Sequence, residues 1–516
     1  MMYRKNYLSP GLILIVFICS FLCNENLLIE KCYAEQYKLI PGVIHVHSTV
    51  SNGEKTPEEI VQLAKEKGMK VVIFTDHDTM RWSYGTPPLR GVLQKVVEQN
   101  SILKYGAANY INTIGRLNEK YPDMLIMHGA EAIPFYYWQG SFLKDTLVLQ
   151  GGNKHILVMG LQTPSGYENL PSVGNGYPSI FTIESFFSLW PFSLFLLGWL
   201  LISLRKNKNP TKDKDSSKTK YNKTAGIICF FVGVVFLVNN FPFKTPIFDQ
   251  YHDDQYVLPY QYLIDYVDEK GGLTFWAHPE VDRSMEIAGI KVVSSPYEEY
   301  LLNTFDYTGI AIFSEGMRRV GPPGGIWDQI LLQYCAGLRK KPVWVIGEVD
   351  YKVQDFPIDE TQTIFLLKEK NSEAILNALR TGKMYAVMGA ANSLTLNSFV
   401  VEDVDSGKLA FMGDEITVKD KPRIRIVVTV DDLDKSSTPE QLSRAGEYGK
   451  RNFNIDLIRN GSIIKTFEAD GSIDIAYDDD YHNPGEKFYY RLAIDTGYLY
   501  RGIVTNPVFV QFAEKQ

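Results

Sequence analysis

The fold is decided by the run VIHVHS, residues 43–48, an apolar strand that ends in two histidines. In an extended strand alternate residues share a face, so His45 and His47 are predicted to point the same way. A second apolar strand, after a short helix, ends in FTDHDT, residues 74–79. Hydrogen-bonded histidines at a polar strand end would explain either segment alone. The repetition favours a metal site.

More candidate metal ligands stand at the ends of further apolar runs. They are Glu131, His155, His278 and Asp350. Of the eight histidines in the chain, five lie at such strand edges, and the other three are interpreted as structural or surface residues. A hydrolytic metal site needs several His and carboxylate ligands and an open position for water. The pattern therefore predicts divalent metal ions, without distinguishing Zn, Mn or Fe.

The spacing of apolar runs predicts strands that alternate with helices. The expected strands lie near 43–47, 70–75, 124–130, 155–160, 272–277, 309–313 and 343–347, and the expected helices near 56–68, 108–119, 258–269, 327–339 and 371–380. Thr56 is the predicted N-cap of the first helix, with Pro57 at its first position and Gly68 as its stop. This alternation is typical of a parallel α/β architecture. Ligands at the carboxyl ends of strands are placed where an α/β barrel builds its site.

These motifs resemble the PHP family, the polymerase and histidinol phosphatase domain. The resemblance is carried by HVHS at 45–48, SNG at 51–53, TPEE at 56–59 and TDHDT at 75–79, and by the order of the later ligands. It spans roughly residues 40–390 with one large interruption. It implies a distorted (β/α)7 barrel and a metal-dependent phosphoesterase.

The resemblance also implies which residues hold the metals. The first metal would be bound by His45, His47, Glu131 and Asp350, and the second by Glu131, His155 and His278. Glu348 is an alternative to Asp350. A third metal would use the positions of Asn52, His77 and Lys352, where the family usually has an acid or His first and a His last. A protonated Lys352 cannot ligate a cation, so we expect two metals, with the Lys352 ammonium near the third position and able to pair with substrate phosphate.

Basic side chains near the site would neutralise charge that develops on a phosphoryl group. Lys352 and Arg318 are the preferred candidates for this catalytic role, and Arg319 and Arg81 are others. Solvated surface arginines are the plainer interpretation of all three arginines.

The interruption of the barrel pattern predicts a membrane hairpin. Residues 185–204 are uncharged and about long enough to cross a bilayer, and residues 225–241 form a second, shorter apolar stretch. The connection, residues 205–223, carries eight Lys or Arg against two Asp. Two buried core helices with a linker are the alternative, but the basic connection favours two spans with a cytoplasmic loop.

The amino end supports the same topology. Arg4 and Lys5 precede an apolar run at 12–22, which indicates a signal peptide or signal anchor. With this end inside, both halves of the barrel lie outside the cell membrane, as one barrel requires. The five cysteines imply no disulfide framework.

The sequence thus predicts five parts. They are a signal segment at 1–36, the first part of the barrel at 37–180, the hairpin at 181–243, the second part of the barrel at 244–390, and a C-terminal antiparallel β-sandwich at 391–516. The sandwich is predicted from short alternating strands separated by turn dipeptides such as Asn460-Gly461.

We expect an extracytoplasmic, membrane-bound phosphoesterase that hydrolyses phosphate mono- or diesters through a metal-activated water. Its partners would be a phosphorylated small molecule or envelope polymer and the membrane. The net charge of −7 argues against nonspecific nucleic-acid binding. The alternatives are a degenerate barrel that binds an anionic envelope ligand without turnover, and a metal-dependent hydrolase of a non-phosphate bond.

Overall fold

The structure is a computed structural model. It describes residues 37–144, 146–175, 179–203, 216–287, 289–313, 315–353, 356–389, 393–430, 452–496 and 502–513. The predicted signal segment at 1–36 lies outside the described residues, as does much of the predicted basic loop.

The described strands follow one another from both halves of the predicted barrel into the C-terminal part. The first fifteen are β1 (Lys38–Val46), β2 (Val71–Phe74), β3 (Arg81–Gly85), β4 (Gln94–Glu98), β5 (Leu125–Ala132), β6 (Tyr137–Gln139), β7 (Val148–Gln150), β8 (Ile156–Met159), β9 (Ser179–Ile180), β10 (Thr245–Pro246), β11 (Leu273–Trp276), β12 (Arg283–Ile287), β13 (Ile290–Ser294), β14 (Gly309–Phe313) and β15 (Trp344–Gly347). The others are β16 (Thr361–Leu367), β17 (Met384–Met388), β18 (Leu394–Asp403), β19 (Lys408–Phe411), β20 (Glu415–Val418), β21 (Pro422–Val430), β22 (Phe453–Arg459), β23 (Ser462–Ala469), β24 (Ile473–Asp478), β25 (Lys487–Asp495), β26 (Gly502–Thr505) and β27 (Val508–Phe512).

The described helices lie mostly between the strands of the first fifteen. They are α1 (Pro57–Glu66), α2 (Ile102–Tyr105), α3 (Ala107–Lys120), α4 (Pro164–Glu168), α5 (Ile183–Phe187), α6 (Pro191–Ser203), α7 (Ser216–Asn240), α8 (Leu258–Glu269), α9 (Glu298–Asn303), α10 (Ile326–Cys335) and α11 (Ser372–Thr381). Two short 3₁₀ turns lie at Phe142–Lys144 and Val173–Asn175.

The start of α1 shows how local sequence fixes an element. Thr56 caps the helix, and its side chain and that of Glu59 form a reciprocal capping box, with Pro57 in the first turn. The buried face includes Ile60, Val61 and Ala64. Gly68 follows with φ +82°, a backbone conformation that favours glycine. The predicted start and stop of this helix are confirmed.

Seven strands form a continuous row in the order β15, β14, β11, β8, β5, β2, β1. The segment after β15 then pairs with β1. The N–H of Val349 donates to the Ile44 carbonyl, and the N–H of Tyr351 donates to the His45 carbonyl, each at 3.0 Å. The row thus returns on itself, and its inward apolar side chains belong to the largest core cluster.

The direction of β8 differs from the predicted all-parallel arrangement. It pairs antiparallel with both β5 and β11, whereas β1–β2, β2–β5, β11–β14 and β14–β15 are parallel. The chain passes from β5 to β8 through the short antiparallel strands β6 and β7 rather than through a crossover helix, which a parallel return requires. As a result, the start of β8 lies at the same end of the row as the carboxyl ends of its neighbours.

Small sheets and one separate apolar cluster cover this end of the row. The strands β3 and β4 form a hairpin, and β12, β13, β7 and β6 form a four-stranded sheet. Trp82, Tyr136, Trp138, Leu149 and Val292 are among the buried residues that hold them together. We call these six strands and their turns the cap.

Two segments are long and apolar enough to cross a membrane, by length and composition. They are Ser185–Ser203, which runs from α5 through α6, and Lys223–Asn240 within α7. Only 17% and 11% of their residues, respectively, are buried. The helix α7 begins at Ser216, so the predicted loop 205–223 is helical in its last part, where no Pro or Gly interrupts the chain.

The C-terminal part is built around a second buried cluster, to which Leu366, Tyr385 and Val387 of β16 and β17 also contribute. A sheet in the order β19, β18, β21, β24 and the strands β25, β22, β23 and β27 contribute to one buried cluster. Most of the pairs are antiparallel as predicted, but β20 and β27 pair in parallel. The part is joined to the first fold because β26 pairs with β17 and Arg491 forms a buried ion pair with Asp328 of α10.

Candidate metal centre

The candidate ligands all lie at one end of the strand row. His47, His77, His278 and Asp350 follow the ends of β1, β2, β11 and β15, Glu131 lies near the end of β5, and His155 precedes β8. His155 joins this set because β8 is antiparallel. A strand start in that orientation lies beside the strand ends of its neighbours.

Three of the candidate ligands have a left-handed backbone. The φ angles of His45, His278 and Asp350 are +68°, +30° and +45°. Non-glycine residues in this region cost free energy and cluster at functional sites. At His45 the pairing of β1 with β2 shifts register between Ile44 and Val46. A bulge, rather than the regular alternation expected from the sequence, therefore directs this ring.

The carboxylate of Glu131 is the centre of the cluster. It is fully buried, and five histidines face it. Its Oε1 lies 3.1 Å from Nε2 of both His45 and His278 and contacts Nδ1 of His155, whereas its Oε2 lies 3.1 Å from Nε2 of His47 and 3.3 Å from Nε2 of His77.

Asp350 and Lys352 occupy one side of the cluster. Oδ1 of Asp350 lies 3.4 Å from Nε2 of His45 and 3.5 Å from Nε2 of His47. The Lys352 ammonium lies 2.8 Å from the same Asp350 oxygen. The structure therefore places the cation of Lys352 directly beside the candidate ligands.

The outer nitrogens of three histidines have partners that fix the rings. Glu348 lies 2.6 Å from Nδ1 of His45, and the Gly152 carbonyl lies 3.1 Å from Nε2 of His155. Ser51 lies 3.3 Å from Nδ1 of His47. Such partners orient a ligating imidazole and select the tautomer that points its lone pair inward. Glu348 thus lies behind His45, on the far side from Asp350.

Asp76 holds in place the turn that contains Ser48 and Ser51, directly after His47. Its carboxylate accepts hydrogen bonds from the backbone N–H and hydroxyl groups of Ser48 and Ser51, at 2.7–3.1 Å. Burial raises its pKa, and the nearby His47 ring and these hydrogen bonds oppose that shift. The TDHDT motif contained this residue, but its role in holding the serine turn was not predicted.

In this cluster, burial and the neighbouring charges shift the pKa values of the side chains in opposite directions. Burial by itself would raise the pKa of Glu131, but the electrostatic influence of His155, His45, His77 and Lys352 holds it well below its usual range. Burial by itself would lower the pKa of His45, yet Glu131, Asp350 and Glu348 raise it to about 10. The buried carboxylates are therefore balanced mainly by His45 and Lys352, because burial lowers the pKa of His155 and His77.

The residues fit a divalent cation. His45 Nε2, His47 Nε2 and Glu131 Oε2 are buried and have no hydrogen-bond partner among the described residues. Three groups have ligand atoms close enough to share an ion: His45, His47 and Asp350; His45, Glu131 and His278; and His47, His77 and Glu131. Imidazole and carboxylate donors suit zinc, manganese and iron.

Two residues predicted for the site lie apart from this cluster. Asn52 is exposed, and its side-chain oxygen accepts from the Ser51 hydroxyl. The Arg318 guanidinium lies on Glu280, whose buried carboxylate also accepts from the backbone N–H groups of residues 318–320. We find no contact between Arg318 and the cluster among the described residues.

Comparison with known protein families identifies one domain that contains part of this site. Residues 44–171 match the PHP domain, so the chain carries a PHP domain over this range. Comparison with curated proteins gave no match.

The solved structures that are similar to this chain include the following three. The first is a two-domain protein from Bacteroides vulgatus containing a predicted PHP-like metal-dependent phosphoesterase (11% identity, 92% of this chain and 96% of that chain covered, TM-score 0.33). The second is described as a metal-dependent phosphoesterase from Bifidobacterium adolescentis (15%, 66% and 95%, TM-score 0.26). The third is an amidohydrolase from Chromobacterium violaceum (13%, 61% and 88%, TM-score 0.23). At these TM-scores no functional conclusion rests on them.

Proposed function

We propose that the protein is a membrane-bound, extracytoplasmic phosphoesterase that hydrolyses phosphate mono- or diesters with two divalent metal ions. The observation that carries this proposal is the convergence of five histidines on the buried carboxylate of Glu131. Among the described residues, Nε2 of His45 and Nε2 of His47 are buried without a hydrogen-bond partner, which is costly unless they bind something. A cation shared with a carboxylate satisfies them.

In this proposal the residues form two neighbouring ligand groups. His45, His47 and Asp350 would hold one cation, and His155 and His278 would hold the other, with Glu131 between them. Two bound cations lower the pKa of a water molecule and stabilise the oxygens of a phosphoryl group under in-line attack. The chain itself contributes the orientation of the rings, through Glu348, Gly152 and Ser51, and a buried setting that strengthens electrostatic interactions.

Lys352 is proposed to bind substrate phosphate. Its ammonium is held at the cluster by Asp350, and burial, which lowers its pKa, is outweighed by Asp350 and Glu131, which raise it. The group therefore stays protonated at neutral pH and can pair with a phosphate oxygen. His77 lies within reach of His47 and Glu131, and the Lys352 ammonium is close enough to influence His77, so it would repel a third cation held there.

The location and the remaining architecture are part of the same proposal. The helices α6 and α7 would form a transmembrane hairpin, with the basic connection in the cytoplasm and the cluster outside. The returning row of seven strands supports a distorted (β/α)7 barrel. The C-terminal part is proposed to be a β-sandwich that packs against it.

The test is hydrolysis by the full chain, purified in detergent, stripped with a chelator and supplied with Mn²⁺ or Zn²⁺. Substrates are p-nitrophenyl phosphate and bis(p-nitrophenyl) phosphate. We expect metal-dependent release of p-nitrophenol that is lost in the double variant His45→Ala/His47→Ala. The matched control is His252→Ala/His482→Ala, which removes two exposed histidines and should retain full activity.

The result also separates the rival functions. Tight metal binding without hydrolysis of either ester would overturn the proposed phosphoesterase activity. It would support a protein that binds an anionic ligand without turnover. Release of p-nitroaniline from an acyl p-nitroanilide supplied in a parallel assay, with no phosphate ester cleaved, would point to a hydrolase of another bond. Only cleavage of these esters would support a phosphorylated small molecule or envelope polymer as the natural substrate.

A further inference from the structure

The cap lies at the same end of the fold as the candidate metal centre. The hairpin β3–β4 follows His77, the strands β6 and β7 connect Glu131 to His155, and β12–β13 follow His278. The buried rings of Trp82 and Trp138 help to hold these segments together. Segments that contact the cap therefore lie near the candidate metal centre.

The cap is attached to the apolar helices. Gly91, in the turn of the β3–β4 hairpin, donates its N–H to the Asn239 side-chain oxygen at 2.9 Å, at the end of α7. At the base of that turn, Gly85 donates to the Tyr251 hydroxyl at 2.7 Å. The guanidinium of Arg90 lies 3.9 Å from the centre of the same Tyr251 ring. The turn thus sits against the segment in which α7 leaves its apolar stretch.

Large apolar side chains around this junction are exposed. We call them the apolar rim: Val92, Leu93, Phe142, Phe181, Ile183 and Phe241. Leu93 and Phe142 are 54% and 58% exposed, and Ile183 is 81% exposed. They come from four separate segments that contact one another. The Phe142 ring lies 6.5 Å from Tyr84 in β3, and the Lys244 ammonium, three residues after Phe241, lies 5.4 Å from the Phe181 ring.

A contiguous exposed apolar surface marks a binding site. The rim continues directly into α6 and α7, whose apolar side chains are also exposed, such as Phe192 and Phe231. Arg90, Lys95, Lys144 and Lys244 lie among the rim residues in the chain. Apolar side chains with interspersed cations suit the interface of an anionic bilayer.

We propose that the apolar rim rests in the bilayer that α6 and α7 cross, so that the metal-centre end of the fold faces the membrane and takes a phosphate ester carried on a lipid. This inference rests on the proposed function and narrows its substrate class. Each strand of the β3–β4 hairpin has five residues and spans at most about 17 Å. The hairpin therefore separates the rim residues in its turn from His77 by up to this length. We expect the site to take a phosphate carried on an extended lipid headgroup rather than one at the acyl boundary.

Contact with the bilayer is tested without reference to activity. The photoreactive residue benzoylphenylalanine replaces Leu93 in full-length protein reconstituted into vesicles of phosphatidylethanolamine and phosphatidylglycerol. The control position is Leu338, which is 70% exposed and precedes β15 at the opposite end of the fold. We expect cross-linking to lipid from position 93 and none from position 338. Equal cross-linking, or none from position 93, would overturn the proposal.

The substrate class is tested in the same vesicles supplied with Mn²⁺ or Zn²⁺. One substrate is 4-methylumbelliferyl phosphate free in solution, and the other is the same group tethered to the headgroup of phosphatidylethanolamine. We expect the double variant Leu93→Ser/Phe142→Ser to lose at least fivefold in rate on the tethered substrate and to keep its rate on the free one.

The outcomes of the two tests are distinguishable. An unchanged ratio of tethered to free rates in the variant would overturn the lipid substrate. Failure of the unmodified protein to cleave either substrate would instead defeat the proposed phosphoesterase, while the cross-linking would still decide whether the rim contacts lipid.

Discussion

The Nδ1 atom of His45 lies 2.6 Å from Oε2 of Glu348, and both side chains are buried. The same glutamate accepts from the backbone N–H of His278 at 2.9 Å through its other oxygen. One carboxylate thereby fixes two residues of the candidate metal centre, one in β1 and the other just after β11. Neither contact requires Glu348 to bind a metal itself.

We predict that Glu348→Gln weakens metal binding by about 10–100-fold, because an amide cannot hold the His45 tautomer and its charge as a carboxylate does. Affinity is measured by competition with a chromophoric chelator. The control is Glu373→Gln on the exposed start of α11, which should leave affinity unchanged. Equal affinities in the two variants would exclude an orienting role for Glu348.

The number of bound metals should depend on Lys352. The unmodified protein should hold two ions per chain, and Lys352→His should raise this to three, because a neutral imidazole replaces an ammonium that repels a cation. Metal content is measured by elemental analysis after gel filtration. The surface change Lys368→His serves as control. Three ions in the unmodified protein, or two in Lys352→His, would contradict the prediction.

Stability at acidic pH should depend on His128, which lies on β5 but faces away from the cluster, 2.7 Å from the Tyr167 hydroxyl. Burial lowers its pKa to about 4. The neutral ring stabilises the fold fully above the unfolded pKa of about 6.5, and this contribution, at most about 3 kcal/mol, is lost as the pH falls towards 4.

The measurement is the melting temperature between pH 4 and pH 7. His128→Gln should flatten the decline, whereas His252→Gln, at an exposed ring, should reproduce the profile of the unmodified protein. Parallel profiles for all three proteins would show that His128 does not carry the pH dependence.

The two large parts of the fold should be coupled through Asp328 and Arg491. Arg491 donates to both oxygens of Asp328 at 2.7 Å, and Tyr489 donates to the same carboxylate, all in the interior. Asp328→Asn leaves a buried guanidinium without its anion and should destabilise the protein by about 3–5 kcal/mol.

Thermal and urea unfolding measure this loss. Arg423→Ala breaks a partly exposed pair with Asp478 and should cost at most about 1 kcal/mol. A loss no larger in Asp328→Asn than in this control would mean that the buried pair contributes nothing to the attachment of the C-terminal part.

The sequence by itself determined the local elements and the types of residue at their ends. The alternation of apolar runs with helical patterns predicted all seven strands of the row, and the caps at Thr56 and Gly68 predicted α1, because these signals involve residues close together in the chain. The histidines and carboxylates at strand ends could be chosen for the same reason.

Only the tertiary structure decided how those ends meet. The reversal of β8 brings His155 to the other histidines, and the bulge at His45 turns its ring towards Glu131. Glu348 and Asp350 are two residues apart, yet one supports His45 from behind while the other faces its inner nitrogen. Strand direction, register and the partner of each imidazole nitrogen are set by contacts between residues far apart in sequence. No local sequence pattern specifies how such residues pack.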